Sequence, residues 1–451
     1  MTAALGRTFI SLREPNYRRY FAGQLASISG NWMQTVAEMW LMVKLTGSGA
    51  AVGLTAGLQF LPVLLFGAWG GVLADRLSKR RLLSFTQPAM AVPALTLWAL
   101  TATGSVQPWM VLALVLVRGS VTAIDNPARQ AFVVEMVGAD RVVNAVALNS
   151  VIVHSSRIIG PAAAGAVIAL LGVAPCFLIN ALSFFVMLVA LRTMDSRALL
   201  APRPVARRGG ELRSALRYVA RTPELSVPLA MMAVVGTVSF NFQVLLPLLA
   251  EFTWHGSAST YAALTAAMGV GSVAGALAAG ARGRVTPRLI VAASLVFGVS
   301  ELLVAAAPTL PIQLLFLIPL GAASVTFAAG INSSLQIAVE PAMRGRVMAL
   351  YSVVFLGSTP IGAPLVGWLA GAAGPRAGLL AGALAALAAG VGARYAFGRV
   401  AAASADAVAA RSPELEVATA ASPEPLAISA RARAHAGRVR TRLSAAGRER
   451  A

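Results

Sequence analysis

A single cysteine, Cys176, leaves the 451-residue chain without an internal disulfide and without a CxxC metal or redox site. Histidine is nearly as scarce. His154, His255 and His435 are too scattered to read as a ligand cluster, so no metal and no cofactor is expected. The only two lysines, Lys44 and Lys79, follow Val43 and Ser78, and no Gly-Lys pair exists. A P-loop, whose backbone amides and lysine cradle phosphates, is thereby excluded, and with it ATP hydrolysis through that motif. Charge itself is missing. Asp, Glu, Lys and Arg make up 12% of the chain, where a domain wetted on all sides carries about 25%.

What fills the sequence instead is apolar: 57% hydrophobic residues and a mean hydropathy of +0.74. Twelve spans of ~20 residues would place about 240 residues in hydrocarbon and leave the rest for loops and ends. The composition therefore predicts an all-α membrane protein that crosses the bilayer many times. The first apolar stretch, about 20–45, is too long for a signal peptide and holds Asn31 and Glu38.

Apolar runs bounded by Arg, Pro or Gly predict twelve helices, near 20–44, 52–73, 82–103, 108–126, 144–171, 174–191, 226–250, 258–280, 286–307, 311–330, 346–372 and 376–397. The net charge of +20 then reads as topogenic arginine beside anionic headgroups rather than as a nucleic-acid surface. The N-terminus and alternate loops hold 23 Lys or Arg, against Arg376 and an edge Lys44 on the other side. Both termini are expected in the cytoplasm of a cell whose inner membrane holds the chain. The arginine-rich stretch 192–225 follows the sixth span and divides the chain into an N-terminal half, 1–191, and a C-terminal half, 226–397. Residues 398–451 read as a basic cytoplasmic tail, disordered or lying on the surface as a helix.

The halves repeat. Shifting by 202 positions lays Ser150, Val151, Ser156, Gly160 and Gly165 on Ser352, Val353, Ser358, Gly362 and Gly367. Same-direction repeats of six spans are the plan of facilitator-type transporters, with the substrate between the halves near the midplane.

Polar residues in spans supply the candidates for function, because a charge there is costly and faces a cavity or a partner. On the first helix Gln24, Ser27, Asn31, Gln34, Thr35 and Glu38 recur at helical spacing. Arg118, Thr122 and Asp125 follow on the fourth, Ser150, His154 and Arg157 on the fifth, Thr237 and Asn241 on the seventh. Glu38 reads either as a proton-coupling carboxylate or as the structural partner of a neighbouring arginine. Arg118 and Arg157 read either as anion-binding or as structural. Trp32, Trp40, Phe240 and Phe242 offer an aromatic substrate surface or ordinary packing. Glu301, on the ninth helix, is expected away from the centre.

The stretch GGVLADRLSKRR at 70–81 carries the sharpest pattern: Gly71, Asp75, Arg76, Lys79, Arg80 and Arg81 fit G-x-x-x-D-R-x-x-K-R-R. It resembles motif A of the major facilitator superfamily, with Ser78 where a second glycine is common. The stretches DNPARQAFVVEMV at 125–137, NAVALNSVIVHSSRIIGPAAAG at 144–165 and RGRVMALYS at 344–352 are similar to the siderophore (enterobactin)-exporter branch, also described as transmembrane secretion effectors. The likeness covers roughly residues 10–397. It implies a twelve-helix fold, alternating access and export of a small molecule, usually by proton antiport. Gly71 would let helix ends approach. Asp75 would engage the start of the eleventh helix near Arg346, with Arg76 or Arg80 reaching Asp125. Gly160-Pro161 with Gly165 partly resembles the antiporter motif of the fifth helix, with Ala164 at a usual glycine. Gly30-Asn31-Trp32 stands where this branch often shows G-D-W, so the neutral Asn31 cannot titrate.

The expected function is a secondary transporter, not an enzyme, exporting a siderophore, antibiotic-like metabolite or drug. Its partners are a small-molecule substrate, protons and membrane lipids. A lipid or lysophospholipid transporter on the same fold, and a non-transporting membrane sensor or assembly partner, stand as alternatives. No feature specifies an oligomeric state.

Overall fold

The computed structural model describes residues 10–138, 141–200, 211–281, 286–341 and 343–420. Among these the chain is helical, with no strand. Six long helices come first: α1 (Pro15–Thr46), α2 (Gly49–Arg76), α3 (Lys79–Ala102), α4 (Pro108–Val137), α5 (Val142–Leu171) and α6 (Ala174–Arg192). A short amphipathic helix, Glu211–Arg221, lies in the linker. The second set is α7, interrupted as Pro223–Val238 and Phe242–Leu248, then α8 (Ala258–Ala281), α9 (Pro287–Ala306), α10 (Leu310–Ala338), α11 (Arg344–Ala373) and α12 (Pro375–Ala420). Met1–Phe397 forms one compact unit and Gly398–Ala451 a second. The tail beyond 420 lies outside the described residues.

Ten helices among the described residues are long and apolar enough to cross a membrane. The two rods outside that set, α1 and α3, carry more polar and charged residues, most of α1's being turned inward. Outward, large apolar side chains such as Phe66, Phe85, Leu170 and Leu277 stand more than half exposed, a surface suited to hydrocarbon.

Helix ends follow local chemistry. Proline at the first helical positions starts α1, α4 and α9, where a missing N–H costs nothing. Gly47 ends α1 in the left-handed region, and its N–H donates to Val43 O. Several boundaries depart from expectation: the tenth helix runs on to Ala338 and the twelfth to Ala420, past the expected ends at 330 and 397 and into the stretch read as tail. The fourth helix runs on to Val137 through Asn126-Pro127, because a helix packed among others tolerates proline. The seventh is broken at Ser239–Asn241 and ends in a π turn, Leu249–Thr253. Asn241 Nδ2 donates to Thr237 O (2.7 Å) and Val238 O (3.1 Å), and so satisfies carbonyls that the break leaves open. Pro247, in the second piece, has no N–H to give to the Gln243 carbonyl one turn back.

The broadest contacts between the first and second sets of helices are α2 on α11 and α5 on α8. Small residues make them possible, since apolar side chains gain nothing by leaving lipid and close backbone approach must supply the attraction. Gly160 of α5 sits on Trp32 and Ser29 of α1, while Gly362 of α11 sits on Thr237 of α7. Gly165 faces Ala262 of α8, while Gly367 faces Gly49 and Gly53 of α2. Each repeated glycine thus meets the helix that the repeat would assign to it. The positive-φ glycines Gly172 and Gly374, also 202 apart, end α5 and α11 alike. A Cβ at Gly362 would drive into the Thr237 carbonyl, so even alanine is excluded without movement of α7.

Candidate functional site

Two adjoining chambers lie inside the bundle. The larger, about 630 Å³, is walled by α1, α2 and α5 on one side and α7, α8, α10 and α11 on the other. Its floor is the break in α7. A smaller chamber of about 280 Å³ continues among the first six helices, sharing Trp32, Thr35, Phe60 and Gln243 with the larger.

The polar stripe of α1 is wider than one face. At about 100° per residue, Gln24, Asn31 and Thr35 cluster while Gln34 and Glu38 fall toward one flank. The structure follows that division: Gln24, Asn31 and Thr35 line the small chamber, and Gln34 and Glu38 turn into the protein. Glu38 is fully buried, and its Oε2 accepts from Arg118 Nη2 at 2.5 Å. Gln34 Nε2 donates to Glu38 Oε1 (2.7 Å), and Asn180 Nδ2 of α6 donates to Gln34 Oε1 (2.5 Å). Every donor in this chain points toward the carboxylate. Gly30 admits Asn180 and Ser183, since a side chain there would strike both. Arg118 lines the small chamber and stands between it and Glu38.

A second charged knot lies closer to the basic end of the bundle. Arg129, buried on α4, donates to Asp125 and Gln24, to Gln87 Oε1 (3.0 Å) and to Ser27 Oγ (3.2 Å). Asp125 also accepts from Thr86 Oγ1 (2.6 Å) and Gln87 Nε2 (2.9 Å). Sequence reasoning missed Arg129, counting it as a loop charge because Asn126-Pro127 read as a helix end. The Asp125/Arg129 spacing of four within DNPARQ was the available signal.

The motif A residues do something other than reach Asp125. Lys79 Nζ pairs with Glu135 Oε1 of α4 at 3.0 Å. Arg80 donates to Leu191 O (2.8 Å) and Arg192 O (3.0 Å), capping the carbonyl end of α6. Arg76 and Arg81 are exposed, and Asp75 is exposed on the last turn of α2. Close helix approach belongs to Gly70, which lies on the Ala123 backbone, while Gly71 is half-buried.

Arg157 behaves unlike Arg118 and Arg129. It lines the large chamber with its guanidinium 5.4 Å from the Trp32 ring centre, and its buried Nε, like that of Arg118, has no hydrogen-bond partner. No carboxylate among the described residues pairs with it. Asn241 Oδ1, in the same chamber, is buried and unpartnered. Phe240 packs at the centre of an aromatic cluster with Phe242, Phe297, Phe327 and Phe355. Trp40 stacks on Tyr261. The His154 side chain lies outside the described ones. Glu301 lines neither chamber; it is buried beside Gly382 of α12, and neither carboxyl oxygen has a hydrogen-bond partner.

At the end opposite the basic one, the two sets of helices touch. Gly49 lies against Gly367 and Gly371, and Lys44 pairs with Glu251 at 2.7 Å.

A family profile described as transmembrane secretion effector matches residues 7–438. The chain belongs to that family, a branch of the major facilitator superfamily. Curated relatives include the staphyloferrin A transporter of Staphylococcus aureus, 23% identical over 255 residues, which cover 56% of this chain and 64% of that protein. The enterobactin exporter EntS of Citrobacter koseri is 27% identical over 79% of this chain and 85% of its own length. The multidrug efflux pump Tap of Mycolicibacterium fortuitum is 27% identical over 79% and 90%. Among solved structures, a bacterial homologue of the lysosomal transporter Spinster superposes with a TM-score of 0.66 at 14% identity, over 85% of this chain and 96% of that one. The nucleoside transporter NupG gives 0.67 at 14% identity, over 85% and 99%. These two establish the major facilitator fold.

Proposed function

We propose that this family member is a secondary transporter of the inner membrane that exports a small organic molecule, of siderophore, antibiotic-like or drug type, by alternating access with proton antiport. The observation that carries the reading is the chamber of about 630 Å³ between the two helix sets, at the break of α7, beside buried and paired charges. Interrupted helices at a midplane cavity are where transporters of repeat architecture hold their cargo. The relatives' names support the direction and the cargo class. Counterflow in proteoliposomes with a panel of such compounds should show exchange of at least one, and no exchange of any would count against transport.

All twelve rods cross the membrane on this reading, with the repeat forming two six-helix halves and the basic end in the cytoplasm. In a Cys176→Ala background, Arg13→Cys should resist an impermeant thiol reagent in intact cells while Ser105→Cys reacts. Arg13 suits the test because it is exposed, whereas the nearby Ser11 is buried and bonded to Asn144 Oδ1. Reaction at position 13 would overturn the orientation.

The proton site on this reading is Glu38, with Arg118 as a gate. Protonation of the carboxyl removes Arg118's counter-charge and frees the guanidinium to turn into the small chamber. The pairings of Gly53 with Ala363, Gly57 with Pro364 and Leu64 with Gly357 set an antiparallel register between α2 and α11. Continued along both helices, it brings Asp75 to the level of Arg346. A latch between them would close the basic end in the outward-open form.

A further inference from the structure

Three arginines enter the chambers, and their balance differs. Arg118 is matched by Glu38 at 2.5 Å, and Arg129 by Asp125. Among the described residues no carboxylate pairs with Arg157, so their lining of the chambers carries one unbalanced positive charge, in the larger chamber. The Trp32 face offsets part of its desolvation but does not replace a counter-ion. A guanidinium with a buried, unused Nε–H and planar donors is shaped for an oxyanion.

A second observation gives the rest of the ligand its character. Asn241 Nδ2 is fixed by two carbonyl acceptors, which settles the amide orientation and leaves Oδ1 as an unused acceptor in the chamber, as Gln243 Oε1 also is. Phe240, Phe355 and Tyr351 supply flat apolar wall.

We infer that the large chamber takes an amphipathic organic anion, its acidic group on Arg157, a hydrogen-bond donor on Asn241 Oδ1, and its ring system on the aromatic wall. The inference rests on the transport reading for its biological sense, but not for its test. A soluble acid and an anionic lipid share this chemistry.

The test uses two dyes on one xanthene frame: fluorescein, an anion, and rhodamine 6G, a cation. Their binding to the purified full-length protein in detergent is followed by anisotropy. The wild type should bind fluorescein at least tenfold more tightly than rhodamine 6G. Arg157→Gln should weaken fluorescein tenfold or more without weakening rhodamine 6G, and Arg157→Lys should retain part of the preference. If Arg157→Gln does not fold, the wild-type comparison and the lysine variant decide. Equal affinities, preference for the cation, binding of neither dye, or equal loss of both in Arg157→Gln would each overturn the inference. Arg157-dependent displacement of fluorescein by 1-naphthoate marks a soluble acid, and by lysophosphatidylglycerol a lipid; either upholds it. Charge-selective binding without counterflow would sink the transport reading alone, and counterflow of rhodamine 6G but not fluorescein would sink this inference alone.

Discussion

Arg129→Met should cost about 3–5 kcal/mol, the penalty for leaving one member of a buried ion pair without the other. Asp125 would keep only two neutral donors, Thr86 and Gln87, and Gln24 would lose its charged partner. Against a total stability of about 5–15 kcal/mol, such a loss is a large fraction and should lower the melting temperature in detergent markedly. Lysine should not rescue, because one ammonium cannot reach four acceptors on three helices as the guanidinium fork does. Removing both charges, as Arg129→Met with Asp125→Leu, should recover much of the stability, because two desolvation penalties vanish with the one attraction. A thermal-stability cycle over the four proteins checks this. A single Arg129→Met variant as stable as wild type would show that the knot is dispensable.

Glu38→Gln should abolish gradient-driven efflux while leaving equilibrium exchange largely intact. A glutamine fills the same space and can still accept from Arg118, so the chamber keeps its shape. Its amide would meet Gln34 Nε2 donor to donor, unless Gln34 and Asn180 rotate their amides in turn. What the variant cannot do is change charge. Arg118 would then no longer be released and recaptured with the proton, and cargo movement would lose its tie to the gradient. Stability should fall less than in Arg129→Met, because Arg118 borders the small chamber and can turn into it. Active efflux with an unaltered pH dependence in Glu38→Gln would reduce Glu38 to a structural counter-ion.

Much of the frame was legible because a bilayer allows few solutions: long apolar rods, loops marked by arginine, and small residues where rods touch. Gly160, Gly165, Gly362 and Gly367 were readable as packing positions for that reason. The candidate site was legible as a set of polar residues and not as a set of pairs. Glu38, Arg118 and Arg157 all stood out, yet which arginine meets Glu38 depends on the rotation of α4 and α5 about their axes, which sequence spacing does not give. Asn180, Thr86 and Gln87 were invisible for a different reason. Asn180 is a lone amide on an apolar helix, and Thr86 and Gln87 are adjacent uncharged residues on α3; the importance of each comes from the neighbour it faces. Arg129 was lost to a proline rule that holds in water-exposed helices and relaxes among packed ones. The break in α7 had no glycine to announce it, only Asn241 with the means to cap it.

The claim that joins these parts is alternation about the central chamber. Spin labels on Leu77→Cys and Gly345→Cys report the basic end, and labels on Ala50→Cys and Ala372→Cys the opposite end, all four positions being exposed. Measured by double electron–electron resonance in a Cys176→Ala background, each pair should show two distance populations. They should shift in opposite senses as pH changes, with Asp75→Asn depleting the form closed at the basic end. Single distances that ignore pH, or both ends opening together, would contradict the account.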